Sequence, residues 1–313
     1  MNNLRSKLAD KPSFFLLISN TWRFVRYFLI VIRLKGARSV GVDDFENGLL
    51  VLNRTTSLGD RGELVTTPRD ETIYRFVIER GEWEPDESRY LSDRLIAAEG
   101  VAENALKIAF VDIGANSGLV TRQVLNLSGS ACEVILVEPI PNHVRAIQAN
   151  LKKWGHRNQI RIVKAALGET NGQSEMSIEK SNRGNSSLLV SAMPASGTLK
   201  LSVEILAVED FFKGFLLNFD HYIIKSDTQG YDSRILSLLP IEFWNKCQGA
   251  VIEVWALPVV EALPVQELLT KWQSYWDFNW EPDGSAPTNL DEIGSFWLSK
   301  SGKSRNLFIN SAR

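Results

Sequence analysis

The chain has 313 residues, enough for one large α/β domain with additions. With 44% hydrophobic and 23% charged residues it falls among globular chains, which argues against intrinsic disorder. A formal net charge of −2 offers no basic excess for a nucleic-acid footprint. The two cysteines, Cys132 and Cys247, lack ligand spacing and argue against a disulfide framework or zinc site, leaving a cytoplasmic placement as the simplest one.

Residues 1–35 read as an amphipathic helical segment. The stretch 14–34 is strongly apolar but is interrupted by Ser19, Asn20, Arg23 and Arg26, and Asn20, Arg23, Arg26 and Arg33 share one helical stripe. Two central arginines would each cost roughly 2.5–3.5 kcal/mol in a bilayer. The segment is therefore expected to dock on the catalytic domain or a second subunit, or to lie at a membrane interface as a peripheral contact; a spanning anchor is the remaining alternative. Residues 36–106 read as a cap or lead-in, with short strands over 48–52 and 75–78. A helix start at Glu84-Pro-Asp-Glu-Ser88 continues over 89–96.

From Lys107 onward the pattern is regular and defines a domain over 107–313. Strands are expected over 108–113, 133–138, 160–164, 201–206, 221–227 and 250–255. Helices are expected over 118–127, 141–153, 208–217, 231–239 and 264–276. Apolar strands alternating with helices mean a mostly parallel α/β sheet, Rossmann-like, with helices on both faces. Two tail segments, 295–299 and 306–310, read as an antiparallel C-terminal hairpin. The Ser/Asn/Gly-rich stretch 172–198 reads as a long insertion, either a lid or a surface excursion.

The first strand runs into a glycine turn in which Asp112, Gly114 and Gly118 spell D-x-G-x-x-x-G, not the G-x-G-x-x-G of a dinucleotide site. A pyrophosphate needs glycine backbone against a helix N-terminus, whereas an early acid and a looser turn suit a cationic, phosphate-free ligand such as S-adenosylmethionine. About 20 residues on, Glu138 ends the second strand where a ribose-binding acid is expected. Lys225, Asp227 and Gln229 alternate at the end of the fourth main strand, and Glu253 lies near the end of the fifth. His143, His156 and His221 read as surface or capping residues. Trp83 and Trp255 are the tryptophans expected to face a pocket, while Trp272, Trp276 and Trp280 share a helical spacing that reads as packing. No Asp/His cluster has metal-ligand spacing, so no metal is expected.

Four segments taken together, 111–118, 137–141, 185–188 and 224–232, resemble the FkbM-type methyltransferases, as do Val208-Glu-Asp-Phe211 and Val251-Ile-Glu-Val254. The resemblance implies a class I methyltransferase fold, S-adenosylmethionine as cofactor, and O-methylation of a sugar or natural-product hydroxyl. By position it implies that Gly114 and Gly118 shape the cofactor turn and that Asp112 and Asn116 support the methionine end. Glu138 would accept from the ribose hydroxyls, Ala165 and Ala166 would lie near the adenine, and Asp227 at the methionine or substrate end. The chain departs from the family pattern at Ser226, where an aliphatic residue is usual, and at Asp232, where Glu is expected. A sugar hydroxyl needs its proton drawn off, and Asp227 is the first choice of base and Glu253 the second, with Lys225 pairing to either. The other reading of Lys225 and Asp227 is an ion pair that only aligns the cofactor. Three alternatives stay open: a cofactor-binding or assembly module without turnover, an NAD-linked oxidoreductase, and a methyltransferase directed at nitrogen or carboxyl acceptors.

Overall fold

The computed structural model describes residues 37–40, 49–55, 61–67, 72–73, 76–77, 81–100, 106–152, 155, 158–179, 184–189, 197–256, 264–272 and 276–311. The helix expected over 14–34, with its membrane or subunit contact, and His156 lie outside the described residues.

In chain order the elements begin with an antiparallel meander, β1 (Ala37–Val40), β2 (Leu49–Thr55) and β3 (Arg61–Thr66). There follow α1 (Pro85–Gly100), β4 (Ile108–Ile113), α2 (Leu119–Ser128), β5 (Glu133–Val137), α3 (Pro141–Leu151) and β6 (Ile160–Val163). Next come β7 (Ala166–Gly168), β8 (Gly172–Glu179), β9 (Ser186–Ser187) and β10 (Thr198–Ala207). Helix α4 (Val208–Phe211) runs on as a π turn, Phe212–Leu216. The rest is β11 (His221–Ser226), α5 (Asp232–Leu238), α6 (Ile241–Lys246), β12 (Cys247–Trp255), α7 (Val265–Lys271), β13 (Trp276–Asn279), β14 (Pro287–Thr288), α8 (Leu290–Trp297) and β15 (Ser304–Ser311).

The main sheet has eight strands in the order β14-β13-β15-β12-β11-β4-β5-β6. Strands β12, β11, β4, β5 and β6 are parallel, while β15, β13 and β14 continue the sheet antiparallel. Alternation along each strand divides successive apolar residues between two cores. Val111, Ile135, Ile224, Ile252 and Ile309 face one, which α4 to α8 cover with residues such as Phe211, Leu236, Trp244, Leu268 and Trp297. Phe110, Val134, Ile223, Val251 and Phe308 face the other, covered by Leu91 and Leu95 of α1, Val124 of α2 and Ile147 of α3. Both faces are thus dry, which is why the strands read as mostly apolar runs.

A second sheet, β7-β10-β8-β9, takes β8 and β9 from the stretch read as an irregular insertion, and the strand expected over 201–206 in the main sheet is β10 of this sheet instead. The insertion's serine- and asparagine-rich composition conceals strand β8, whose first four residues are exposed and whose Met176 and Ile178 pack with Ile140, Ala166 and Val203. Ala166, expected in a turn, begins β7 of this sheet.

Three further expectations are corrected. The strand read over 75–78 is not formed, since Phe76 and Val77 are helical. The strand read over 295–299 lies largely in α8, whose start is capped by the Asn289 side chain accepting from the Glu292 amide at 3.0 Å and whose Ile293 and Trp297 are buried one turn apart. β15 instead pairs antiparallel with β12 and with β13, which begins at Trp276, the last residue of the helix read over 264–276; that helix ends at Lys271. Trp272, Trp276 and Trp280 therefore do not share a helix. Trp272 stacks among Trp244, Phe278 and Trp297, while the Arg305 guanidinium lies 4.4 Å from the ring centre of Trp280. Among the described residues no helix is long and apolar enough to cross a membrane.

Candidate active site

Strand order reverses between β4 and β11, so the crevice at their carboxyl ends is the place where an open parallel sheet takes ligands. Backbone hydrogen bonds carry the sheet one step past its strands. Gly114 and Ala115 both donate to the Val137 carbonyl, at 3.0 and 3.1 Å, Asp227 donates to Ile113, and Glu138 to Val163. The turn is tight enough that a Cβ on Gly114 would lie 1.9 Å from the Asp227 carbonyl oxygen, and Gly114 has a left-handed φ of +79°. Only glycine lets the two strand ends meet. Above them opens a cavity of about 660 Å³, within the range of small-molecule sites.

Glu138 lines that cavity and is nevertheless buried. Its Oε2 accepts from the Asn116 amide at 2.9 Å and its Oε1 from the Ile140 amide at 2.8 Å. A carboxylate has about four lone-pair directions, so two remain for a ligand. His143, expected at the surface, is buried instead, with Nδ1 3.4 Å from Glu138 Oε1. Its place in the first turn of α3, directly after the acid-bearing strand, was the sequence signal for that role. Asn150, on the same helix, exchanges hydrogen bonds with the Val65 backbone and also donates to the Ser117 carbonyl, tying β3 to the glycine turn.

A charged cluster also lines the cavity. Lys225 Nζ lies 3.3 Å from Asp227 Oδ2 and 3.6 Å from Glu84 Oε2. Gln229 Nε2 donates to Asp227 Oδ1 at 2.8 Å and reaches Glu253 Oε2 at 3.4 Å. Burial disfavours the Lys225 ammonium, but Asp227, Glu84 and Asp112 outweigh it and hold its pKa well above the ordinary value. Burial also opposes ionised Asp227, yet Lys225 and Gln229 bring its pKa below the usual carboxylate range. Burial and the repulsion of Asp227 and Asp232 push Glu253 well up, so it stays protonated and donates to Asp227. The cluster is thus one cation and one anion, braced by a neutral acid, with Glu84 beside them. Sequence reasoning read Glu84 only as a helix start. No local pattern links it to Lys225, which is 141 positions away.

Of the residues singled out from the sequence, Gly114, Asn116, Glu138, Ala166, Lys225, Asp227 and Glu253 all line the cavity, and Trp83 does too. Asp112, Gly118, Ala165 and Trp255 do not. Asp112 is fully buried, pushed up by that burial, and accepts from Thr121 Oγ1 at 2.5 Å, so it ties β4 to α2. Gly118 has φ +71° and packs against Ile147, setting how closely α3 approaches. Ala165 faces the first core. From the second sheet, Asn185, Ser186 and Leu188 add a wall, and Ser187 Oγ donates to the Gln229 carbonyl at 2.9 Å. Among the described residues no group of three or more His, Cys, Asp or Glu is arranged to hold a metal ion.

The two departures from the family pattern are partners. Ser226 Oγ donates to Asp232 Oδ1 at 2.5 Å in a fully buried site, and burial pushes Asp232 up to about 6. Ser226→Val is expected to cost about 1–3 kcal/mol by stripping a buried acceptor. Adding Asp232→Glu is expected to recover more than half of that. Urea midpoints of the two single variants and the double variant check it, and strict additivity would show the positions to be independent.

The cavity suits the expected cofactor. It pairs a carboxylate with two spare acceptor directions, for ribose hydroxyls, with a glycine turn that lines the cavity at Gly114, and it presents carboxylates rather than a phosphate-binding nest to a cationic ligand. A search of curated proteins returned no match. Solved structures with a similar outline include a precorrin-6y C5,15-methyltransferase from Geobacter metallireducens, at 12% identity and a TM-score of 0.32, covering 72% of this chain and 88% of that one. An O-methyltransferase family protein from Burkholderia thailandensis is 11% identical, with a TM-score of 0.33, covering 78% and 59% of the two chains. At such scores neither likeness bears on activity. The family model described as the methyltransferase FkbM domain matches residues 112–269, just over half of the chain and the whole span from Asp112 to α7. The chain belongs to the FkbM methyltransferase family and is an S-adenosylmethionine-dependent methyltransferase.

Proposed function

We propose that the protein O-methylates a hydroxyl of a sugar, glycan or natural product. The observation that carries this reading is a carboxyl cluster in the cavity lining: Glu84 and Asp227 flank Lys225, Gln229 joins Asp227 to Glu253, and Trp83 lines the same cavity. When bound, S-adenosylmethionine supplies a methyl group activated by a sulfonium. Glu138 would hold its ribose hydroxyls, Ala166 would lie along its adenine, and Gly114 and Asn116 would flank its methionine end. Elsewhere in the cavity, carboxyl groups accept from hydroxyls, and an indole face stacks on a sugar ring. A carboxylate acceptor would meet like charge there.

Catalysis in such a site is mainly positioning, with proton removal from a weak nucleophile. Asp227 holds Lys225 and Gln229 in place and orients the cluster, while Glu253 keeps Asp227 fixed. In this reading residues 36–106 act as a cap, because Trp83 and Glu84 reach the cavity from that segment, and residues 107–313 form the cofactor domain. A cytoplasmic placement, with peripheral membrane or subunit contact through 14–34, belongs to the same reading.

The test begins with calorimetric titration of the full chain with S-adenosylhomocysteine, where binding in the micromolar range is expected. Methyl uptake from labelled S-adenosylmethionine is then compared on neutral glycosides and on amines, with O-methyl ethers expected. N-methylated products would redirect the acceptor class. Folded protein that binds no S-adenosylhomocysteine would favour a module without turnover.

A further inference from the structure

Glu84 stands in an unusual backbone. Of the four non-glycine residues with left-handed φ among the described residues, three line the cavity: Glu84 at 46°, Asn116 at 50° and Gln229 at 53°. Such conformations cost on the order of 1–3 kcal/mol and persist only where the surroundings enforce them. At Glu84 they do. The Trp83 amide donates to Gln123 Oε1 at 2.9 Å, and Gln123 Nε2 donates back to the Trp83 carbonyl at 2.5 Å and to Ser88 Oγ at 2.6 Å. Ser88 in turn donates to the Glu84 carbonyl through both its amide, at 3.1 Å, and its hydroxyl, at 2.9 Å. Gln123 and Ser88 are buried polar residues. The Ser88 amide bond is the first of α1, and the Gln123 and Ser88 side-chain bonds go beyond what a helix start needs. What the arrangement achieves is to aim one carboxyl group into the cavity.

That carboxyl differs from its two neighbours. Asp227 takes hydrogen bonds from Lys225, Gln229 and Glu253, and the Glu253 proton is engaged in its bond to Asp227. Glu84 Oε2 is shielded from solvent and makes no hydrogen bond, and the 3.6 Å to Lys225 Nζ is a charge contact only. Burial pushes Glu84 up to about 8. Lys225 opposes that rise, and Asp227 from the β11 end, Glu87 from α1 and Asp112 from β4 add to it. A proton acceptor works best with a pKa close to the operating pH, a condition that Asp227, held low, and Glu253, held high, do not meet.

We propose that Glu84 is a catalytic residue whose carboxylate lies beside the transferred methyl and takes the proton of the acceptor hydroxyl. This rests on the methyl-transfer reading above. The acceptor O–H bond breaks and its proton goes to Glu84. The oxygen lone pair forms the new O–CH3 bond as the C–S bond breaks, and that electron pair stays on sulfur as a neutral thioether. Near neutral pH Glu84 is largely protonated in the free protein. A sulfonium beside it favours the carboxylate, so the base is unmasked when the methyl donor arrives.

This predicts a proton signature that needs no acceptor. The full chain is titrated with S-adenosylmethionine and, separately, S-adenosylhomocysteine at pH 7.5, in phosphate and in Tris, whose ionisation enthalpies differ. Wild type is expected to release about half a proton more with the sulfonium than with the thioether. Glu84→Gln is expected to abolish that excess while still binding both compounds. Proton exchange from the compounds' own amino groups is common to both proteins and cancels. An equal excess in the variant, or none in wild type, overturns the role of Glu84. Failure of folded wild type to bind either compound overturns the methyl-transfer reading and this inference together.

Thermal unfolding of the unliganded proteins gives a second readout. A carboxyl with a raised folded pKa costs nothing below its unfolded value. From about pH 4.5 to about pH 8 the unfolded state ionises while the folded state stays protonated, so wild type should lose stability relative to Glu84→Gln across that window. A constant difference there counts against the proposal. If the glutamine variant does not fold, Glu84→Asp replaces it: a proton excess with altered pH dependence supports the role, and an unchanged profile overturns it.

Discussion

Glu138→Ala is expected to weaken S-adenosylhomocysteine binding by two to three orders of magnitude. Hydrogen bonds to a charged group contribute about 1.5–3 kcal/mol each, and the carboxylate has two directions left for ribose hydroxyls. Part of the loss is indirect, since the Asn116 and Ile140 amides would lose their acceptor and the glycine turn its anchor. Thermal unfolding should therefore fall as well, by the equivalent of about 1–3 kcal/mol. Calorimetric titration separates the two effects, because a loosened turn alone cannot remove three decades of affinity. Unchanged affinity would remove the ribose assignment.

Gly114→Ala is expected to be the most damaging small substitution in the site. The added Cβ would lie 1.9 Å from the Asp227 carbonyl oxygen and 2.8 Å from its carbon, which are backbone atoms that cannot rotate away. A left-handed φ adds about 1–2 kcal/mol for any L side chain, and overpacking typically adds 1–3 kcal/mol more, so roughly 2–5 kcal/mol in all. Relief would require β4 and β11 to part where they frame the cavity, so cofactor binding should be lost even in molecules that fold. Gly129→Ala is the control. It shares a left-handed φ of 63° but has no atom within 4 Å, and should cost only about 1 kcal/mol with binding intact. Denaturant unfolding of both variants distinguishes contact from strain; equal losses would mean that the Gly114 contact carries no weight.

The parallel core was legible because its physics is local. A strand buried on both faces must be mostly apolar, and the apolar runs of β4, β5, β11 and β12 read so directly, apart from the polar residues near their ends. The C-terminal part was harder. Ser295-Phe-Trp-Leu suits an edge strand as well as a helix end, and the choice was made by the Asn289 cap and by the packing of Trp297 on Trp272. The second sheet was hidden for a related reason: the first four residues of β8 are exposed, so their composition is that of a loop.

The candidate site divides along the same line. Gly114, Asn116, Glu138, Lys225, Asp227 and Glu253 end strands or follow them, and the periodicity of an open α/β sheet places strand ends together whatever else the chain does. What the sequence by itself determined is therefore the sheet, its glycine turn and the acids at its edge. Only the tertiary structure decided that His143 is buried against Glu138, that Ser226 and Asp232 satisfy each other, and that Glu84 joins Lys225. Those contacts depend on how α3, the β11 loop and the segment before α1 pack. Packing distances between elements remote along the chain leave no periodic mark in the residues that make them.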